Sequence, residues 1–408
     1  MEHFITEVRI DNVRHLKNIN IALDNQRRQH LILTGKNGSG KTSVLNEIAK
    51  NLALLDSGRL NFYRILRRDR EALKTETDVQ RREYLEGEIS LQKIALSSYS
   101  ELGLDIVYNQ EDGLTELYQR GDFITAFFEA TRPSNDIISA HGVEDMKLPT
   151  AVEVTESPAR NIMKYMVHLK TQQSFAKNEN DSQNERNIKE WFDRFEKALR
   201  TLLDDDSITL KYDYKNYNFV IHQKNREPSG LNELSDGYSS ILRILSDLIL
   251  RMDQNWLLKN QLSCYDKEGI VLIDEIETHL HIELQRKILP FLTEFFPRLQ
   301  FIVSTHSPYV LTSVSNAVVF DLERQVALTD LSEYSTEDVA NGFFEADSYS
   351  VGMEKILNRY KELLNKQDIS DDERAERADI RTKLKNAPGE LARVFRSEFE
   401  KIEQERKK

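Results

Sequence analysis

The segment that most constrains the fold of this chain is residues 35–42, which read Gly-Lys-Asn-Gly-Ser-Gly-Lys-Thr. It matches the pattern G-x-x-x-x-G-K-[ST] and lies between a short apolar run and an amphipathic stretch from about Lys41 to Leu54. A glycine-rich loop between a strand and a helix lets backbone N–H groups surround phosphate oxygens, and the helix N-terminus adds partial positive charge. The alternative is a glycine-rich turn that binds nothing, which the flanking strand and helix disfavour. The segment therefore predicts a phosphate-binding loop.

The residue types in this loop indicate what each would do. The Lys41 ammonium group would reach the β and γ phosphates of a nucleotide, and the Thr42 hydroxyl would ligate Mg²⁺. ATP and Mg²⁺ are therefore the expected cofactors. The residues expected to contact the nucleotide are Asn37, Gly38, Ser39, Gly40, Lys41, Thr42 and Ser43.

A second constraint is the aliphatic run from Ile270 to Ile273, which is followed at once by Asp274 and Glu275. Such a run is typical of a buried strand. A phosphate-binding loop needs an acidic metal ligand at the end of a buried strand, and Asp274 is the candidate. Glu275 is the candidate general base that polarises the attacking water. The alternative is that the two acids only cap the next helix.

Another predicted strand runs from Gln300 to Ser304, and His306 follows it closely. Imidazole can donate a hydrogen bond to a phosphate oxygen near neutral pH. His306 is therefore predicted to sense the γ-phosphate. The alternative is a structural histidine whose ring nitrogens are satisfied within the fold.

The stretch Leu234-Ser235-Asp236-Gly237 opens a predicted helix from about Asp236 to Met252. A hydroxyl, a glycine that admits close backbone approach and a helix N-terminus together favour a second anion site. Ser and Asp are also ordinary N-cap residues, which is the alternative. The place of this stretch, after the phosphate-binding loop and before Asp274, favours the anion site.

With these motifs in this order, the chain resembles the ABC-type ATPase superfamily, and within it the soluble SMC/RecF/OLD-like branch. Residues 4–14 are similar to the opening strand of that branch, and residues 276–281 are similar to its D-loop. The chain also resembles the compact stand-alone ATPases of bacterial antiphage systems of the Septu type. The superfamily resemblance covers residues 1–54 and 203–321.

The resemblance implies an α/β fold, an ABC-type P-loop ATPase head with a helical insertion and a helical C-terminal extension. The head would consist of residues 1–55 and 203–330. Residues 56–202 would form the insertion, with a helical arm and further head strands, and residues 331–408 the C-terminal region. The polar segment Lys177–Asn187 predicts a mobile loop. The C-terminal region carries an apolar stripe, for intrachain packing or for a partner: Leu391, Phe395, Phe399 and Ile402.

The resemblance also implies a homodimer or higher homo-oligomer in which two heads enclose ATP. Ser235, Asp236 and Gly237 of one copy would complete the site on the other copy. Arg14 matches the position where this branch places a basic residue near the nucleotide, and an exposed surface arginine is the equal alternative. The expected partner is a separately encoded effector, an HNH or Toprim nuclease, because this chain shows no nuclease site of its own.

Composition narrows the remaining alternatives. Lys and Arg number 56 against 68 Asp and Glu, a net charge of −12, so contact with DNA would need a local basic patch. One basic run is either such a patch or a solvated helix face, and it comprises Arg64, Arg67, Arg68, Arg70, Arg81 and Arg82. The only cysteine, Cys264, excludes an intrachain disulfide and a Cys-based zinc module. Glu275, Glu277, His279 and His281 are either a metal site or D-loop packing.

The function expected from the sequence is an ATP-binding and ATP-hydrolysing regulator of a separate effector in antiphage defence. A DNA repair or recombination ATPase that binds DNA directly, as RecF and SMC relatives do, is the alternative. A transporter subunit is disfavoured by residues 234–238, which are the signature motif in this resemblance, and by the D-loop-like residues 276–281. No apolar run approaches the roughly 18 residues of a membrane span, and the first residues lack the pattern of a signal peptide, so a soluble cytoplasmic protein is expected.

Overall fold

The computed structural model of the chain describes residues 2–131, 137–254, 265–344, 351–366 and 369–385. The chain divides into two compact units, residues 1–336 and residues 337–408. Within the described ranges, no helix is long and apolar enough to cross a membrane.

The first unit begins with an antiparallel strand pair, which is followed by the strand–loop–helix segment that the sequence predicts. The helix after the loop buries Val44, Leu45, Ile48 and Leu52, which recur at helical spacing on one face. The next two helices form the predicted helical arm. The elements up to residue 128 are β1 (Ile5–Val13), β2 (Leu16–Ala22), β3 (His30–Thr34), α1 (Lys41–Asp56), α2 (Leu60–Thr75), α3 (Val79–Leu96), β4 (Leu104–Tyr108), α4 (Leu114–Gln119) and β5 (Phe123–Phe128).

The middle of the chain corrects one prediction, the loop at Lys177–Asn187. Most of that segment is helical, and only residues 179–181 separate two helices. The Asp181 side chain accepts a hydrogen bond from the Asn184 backbone N–H at 3.1 Å, which caps the second helix. The segment is polar because the first turns of that helix face solvent, and polarity alone did not indicate a loop. The elements are α5 (Ile162–Asn178), α6 (Ser182–Leu203), β6 (Thr209–Asp213), β7 (Asn218–His222), β8 (Ser229–Gly230) and α7 (Asp236–Met252).

The last part of the first unit returns to alternating strands and helices. It contains β9 (Glu268–Ile273), α8 (Ile282–Phe295), β10 (Leu299–Ser304), α9 (Pro308–Leu311), β11 (Ala317–Asp321) and β12 (Val326–Thr329). Three helices follow, α10 (Thr336–Phe344), α11 (Val351–Asn365) and α12 (Asp371–Lys385). The predicted apolar stripe from Leu391 to Ile402 lies outside the described residues.

The largest sheet has six strands in the order β12-β11-β3-β10-β9-β5. All neighbours in it pair in parallel except β11 and β12. A smaller antiparallel sheet has the order β2-β1-β4. Helix α1 contacts β1 and β4 of the small sheet and β9 and β10 of the large sheet, so it packs between the two sheets. The predicted α/β fold with a parallel core is confirmed, and its parallel strands place their carboxyl ends at one edge.

Helix α7 is fixed to the strand β5 by a fully buried arginine, Arg251. Its Nε atom lies 2.6 Å from a carboxylate oxygen of Asp247 one turn earlier. Its guanidinium also donates to the carbonyl oxygens of Thr125 at 2.7 Å and Val152 at 3.0 Å. Because a buried guanidinium needs every N–H satisfied, these bonds hold α7 at one position on β5.

One buried histidine of the large sheet makes the stability of the fold depend on pH. His30 begins β3, and its Nδ1 atom accepts a hydrogen bond from the Phe301 backbone N–H at 3.1 Å. Burial, with a smaller contribution from Arg28, lowers the pKa of His30 from 6.5 to about 4. Above pH 6.5 both folded and unfolded states hold the neutral ring, so His30 contributes no pH dependence there.

As the pH falls from 6.5 towards 4, the unfolded chain takes up a proton that the folded chain excludes. We therefore expect His30 to lower the free energy of unfolding by about 1.4 kcal/mol per pH unit in this window. Urea unfolding of wild type and His30→Gln at about pH 7, 6 and 5 measures this contribution. The variant should lose less stability than wild type on acidification, and identical losses would contradict the assignment.

Candidate functional site

The loop at residues 35–42 turns sharply at the N-terminus of α1. Gly40 has a φ of 101°, in the left-handed region, and caps the helix. A Cβ atom at Gly40 would lie 2.9 Å from Leu16 Cδ1 at the start of β2, so a larger residue would force that side chain to move. The Ser39 hydroxyl is buried without a hydrogen-bond partner among the described residues. Burying a hydroxyl without a hydrogen-bond partner is unfavourable. An oxygen of a phosphate bound by the loop would supply that partner.

The side chain of Lys41 is folded into this loop. Its Nζ atom donates to the carbonyl oxygens of Gly35 at 2.9 Å and Lys36 at 3.3 Å. Burial lowers the pKa of Lys41 from its ordinary value of 10.5, and the carboxylates of Glu275 and Asp274 oppose that shift. A buried cation faced by acids at the N-terminus of a helix is an arrangement that suits phosphate binding.

The two predicted acids follow β9 and are held by one serine of β10. Asp274 is buried, and its Oδ1 atom accepts a hydrogen bond from the Ser304 hydroxyl at 2.5 Å. The same hydroxyl oxygen accepts the Glu275 backbone N–H at 2.7 Å. Glu275 is half-buried and has a φ of 44°. A non-glycine residue in this left-handed region is strained, and such strain concentrates at functional sites.

His306 lies just beyond the carboxyl end of β10, between the strands that carry the loop and the acids. Burial lowers the pKa of His306 from 6.5, and the Lys41 ammonium lowers it further against three nearby carboxylates. A neutral imidazole keeps one ring N–H that can donate to an oxygen. The backbone N–H of His306 donates to Glu277 Oε1 at 2.5 Å.

Backbone hydrogen bonds join these segments across the sheet edge. The Thr305 N–H donates to Leu33 O at 3.0 Å, and the Ile276 N–H donates to Ser304 O at 3.1 Å. Lys41, Asp274, Glu275 and His306 thus belong to adjacent segments at one end of the sheet. A cation can bind phosphate oxygens, a buried acid can hold a metal ion, and a half-buried acid and a neutral imidazole can accept or donate hydrogen bonds.

The residues predicted to form a second anion site begin α7. Ser235 and Asp236 are exposed, and the Ser235 hydroxyl makes no capping bond to its own helix. Gly237 is buried. A Cβ atom there would lie 2.6 Å from the carbonyl oxygen of His279, so a larger residue would not fit. Helix α7 packs against β5, three strands from β3 in the sheet order.

The remaining predicted residues lie around this centre. Thr42 is exposed at the first turn of α1, and with Asp274 it forms a donor set of hydroxyl and carboxylate that suits Mg²⁺. Arg14 is exposed in the β1–β2 turn, where it lines a surface groove together with Ser43. His279 and His281 are both exposed. In the portion of the chain that the structure covers, no group of three or more His, Cys, Asp or Glu side chains is arranged to hold a metal ion.

Three residues at this site were missed by the sequence analysis. Ser304 links the two acids, as described above. Asp321 ends β11 and its Oδ1 atom would lie 3.4 Å from a Cβ atom at Gly35, so its carboxylate borders the loop. The ring carbon Cε1 of His15 would lie 3.6 Å from a Cβ atom at Gly40. None of the three follows from a local pattern, because each contacts residues that are distant from it in the sequence.

The six arginines of the basic run each have a partner within the chain. Arg67 pairs with the buried Asp105 of β4, and Arg64 pairs with Glu111. The Arg70 guanidinium donates to Ser100 O at 3.0 Å, and the Arg82 guanidinium donates to Glu76 O at 3.0 Å. The two remaining cations of the run also have neighbours, since Arg68 pairs with Asp69 and Arg81 lies over the Tyr84 ring. These contacts favour the structural interpretation of the run over a nucleic-acid surface.

Comparison with known proteins agrees with this arrangement. A family model described as "AAA domain, putative AbiEii toxin, Type IV TA system" matches residues 31–312. The Septu protein PtuA of Bacillus mycoides (strain KBAB4) is 25% identical over 401 residues, which are 94% of this chain and 50% of that protein. The retron Vc95 probable ATPase of Vibrio cholerae serotype O1 biovar El Tor is 29% identical over 238 residues, 57% of this chain and 45% of that protein.

Among solved structures, the SMC head bound to the C-winged helix domain of ScpA matches with a TM-score of 0.41 and 11% identity, covering 81% of this chain and 99% of that one. This chain spans about half the length of the two curated relatives. The family model covers well over half of the chain, from the strand before the phosphate-binding loop to the segment after His306. The family model and the two curated relatives confirm the resemblance that the motifs predict, and the chain belongs to the AAA domain family of ATPases.

Proposed function

We propose that this chain is an ABC-type ATPase head that binds and hydrolyses ATP between two copies of itself and regulates a separate effector in antiphage defence. The observation that carries the proposal is the convergence of Lys41, Asp274, Glu275 and His306 at the carboxyl edge of one parallel sheet. They come from three segments, since Asp274 and Glu275 share the end of β9, and Ser304 and the backbone bonds hold these segments together.

The proposed reaction is hydrolysis of the terminal phosphoanhydride of ATP. The water oxygen bonds to the γ-phosphorus as the bond from that phosphorus to the β–γ bridging oxygen breaks. Glu275 receives the proton from the water, and ADP departs with the bridging oxygen. Lys41 holds the β and γ phosphates, and His306 donates its ring N–H to a γ-phosphate oxygen. When bound, Mg²⁺ offsets phosphate charge, and Thr42 and Asp274 are the residues that would hold it.

In this proposal, the second anion site at the start of α7 completes the nucleotide site on another copy. Ser235 and Asp236 are exposed and their helix packs three strands away from the loop. We infer that Ser235, Asp236 and Gly237 contact the γ-phosphate held by another copy. A pair of copies related by a two-fold axis would then contain two complete sites.

The role in defence is supported by the names of the relatives, a Septu protein and a retron ATPase. Because this chain spans about half of those relatives, their activities reach it only as part of this proposal. The effector that we propose is a separately encoded HNH or Toprim nuclease whose activity depends on the nucleotide state of this chain.

A DNA repair or recombination ATPase of the RecF or SMC kind is the second candidate. It would need a basic surface, and the arginines of the basic run contact acids, carbonyl oxygens and a tyrosine ring of the same chain. Binding of double-stranded DNA that weakens steeply with salt would favour this candidate. Reversing the charge of exposed Arg68 and Arg81 would then weaken that binding.

Copurification from the native operon tests the regulatory proposal. We expect the purified chain to hydrolyse ATP and to retain a nuclease that dissociates, or changes its activity, when ATP is replaced by ADP. A chain with full ATP-dependent activity on DNA and no stable protein partner would overturn the proposal. Absence of ATP hydrolysis in every preparation would overturn the catalytic part alone.

A further inference from the structure

The carboxylate of Glu277 is the feature of the site that the proposed mechanism leaves unused. Its Oε1 atom accepts the backbone N–H of His306 at 2.5 Å. This is a charge-assisted hydrogen bond in a part-buried setting, a class roughly twice as strong as a neutral bond. Its other oxygen, Oε2, is buried and has no hydrogen-bond partner among the described residues.

The bond to His306 spans two loops. Glu277 lies in the segment after β9, and His306 lies in the segment after β10. The backbone of the β9 segment is anchored at both sides of Glu277, by the Ile276 N–H on Ser304 O at 3.1 Å and by the Leu280 N–H on Glu277 O at 2.9 Å. The carboxylate is therefore held on a fixed turn from which it determines where the His306 backbone lies.

The turn that carries Glu277 is itself shaped by two strained residues. Glu275 has a φ of 44° and His279 a φ of 66°. Both are L-residues in the left-handed region, which costs energy unless surrounding contacts offset it. At its far end, the His279 carbonyl oxygen packs into the space left by the missing side chain of Gly237. The same turn thus contacts the start of α7 and the backbone of His306.

We propose that Glu277 is a positioning residue that sets the imidazole of His306 towards the γ-phosphate by holding its backbone N–H. This inference rests on the proposed ATPase function. Glu277 acts through His306 and touches neither substrate nor metal in this account. A conservative Gln at this position keeps an oxygen acceptor for the N–H, whereas Ala removes it, so the two variants separate the hydrogen bond from the charge.

Hydrogen exchange at the His306 amide tests the contact itself, and it needs no ATPase activity. We expect Glu277→Ala to speed exchange of the His306 N–H by at least about 10-fold, because its acceptor is lost. Glu277→Gln should leave the rate within a few-fold of wild type, and so should Glu283→Ala, an exposed acid in the first turn of α8. Unchanged exchange in a folded Glu277→Ala protein would overturn the inference even where ATP hydrolysis is normal.

Kinetics then test whether the contact matters through His306. We expect Glu277→Ala to lower kcat by about 10- to 100-fold with little change in the Kd of ATP, and Glu277→Gln to recover most of the loss. In a His306→Ala background, Glu277→Ala should add no further loss, because residues acting as one unit are not additive. An equal loss in both backgrounds would overturn the inference. A wild-type protein without ATPase activity would instead overturn the proposed function, and the exchange result would still decide the role of Glu277.

Discussion

Glu275→Gln is expected to lower kcat for ATP hydrolysis by about 10²- to 10⁴-fold, the range for loss of a general base, while ATP binding persists. The amide cannot take the proton of the attacking water, yet it has nearly the same shape as the carboxylate. The backbone N–H of Glu275 donates to the Ser304 hydroxyl at 2.7 Å. The substitution changes only the side chain, so this bond should keep the end of the strand in place. Phosphate release in steady state measures kcat, and calorimetry with ATP measures binding.

The matched control for this variant is Glu283→Gln, which changes an exposed acid in the first turn of α8. It removes the same charge from the same part of the chain and should leave kcat within about two-fold of wild type. Hydrolysis by Glu275→Gln at the wild-type rate would show that another group activates the water. Loss of ATP binding together with hydrolysis would show that Glu275 supports the fold of the site.

Lys41→Ala is expected to weaken ATP binding by at least about 100-fold, since the lysine makes charge-assisted bonds to two phosphate groups. The structure gives a further reason. The Lys41 ammonium donates to Gly35 O and Lys36 O, so it also holds the loop in its turn before any nucleotide arrives. Binding of a fluorescent ATP analogue measures the change, and thermal unfolding without nucleotide shows whether the fold is kept.

Lys36→Ala is the control for that prediction, because Lys36 lies in the same loop and its ammonium group pairs with Glu323 at 3.4 Å. The pair is exposed on both sides, and exposed pairs contribute little. We expect ATP affinity to change by less than about five-fold in this variant. Equal losses in both lysine variants would mean that total charge, and not the position of Lys41, governs binding.

The parts of the site that the sequence predicts are those with strong local patterns. The phosphate-binding loop, Asp274 and His306 each follow a short apolar run, and such runs form buried parallel strands with a common carboxyl edge. The polar residues that follow these three runs are therefore expected to lie close together at that edge. The structure brings them together through the pairing of β10 with β3 and with β9.

Other features depend on tertiary contacts and leave no local signal. Ser304 reads as one more polar residue at a strand end, and only the sheet order shows that it joins Asp274 to Glu275. The sequence predicts that Gly237 admits close backbone approach, but it does not indicate that the His279 carbonyl is the group that approaches. The sequence also leaves open whether the basic run binds nucleic acid or is structural. The acid that pairs with Arg67 lies on β4, which is distant in the sequence.

The most direct test of the account is complementation between two inactive variants. Lys41→Ala removes the loop lysine, and Ser235→Arg blocks the exposed start of α7; each pure variant should be inactive. In an equal mixture, half of the random pairs are mixed, and each mixed pair holds one intact site of two. We therefore predict that mixing restores ATP hydrolysis to about one quarter of the wild-type rate. Full activity of Ser235→Arg alone, or no recovery on mixing, would contradict a nucleotide enclosed between two copies of this chain.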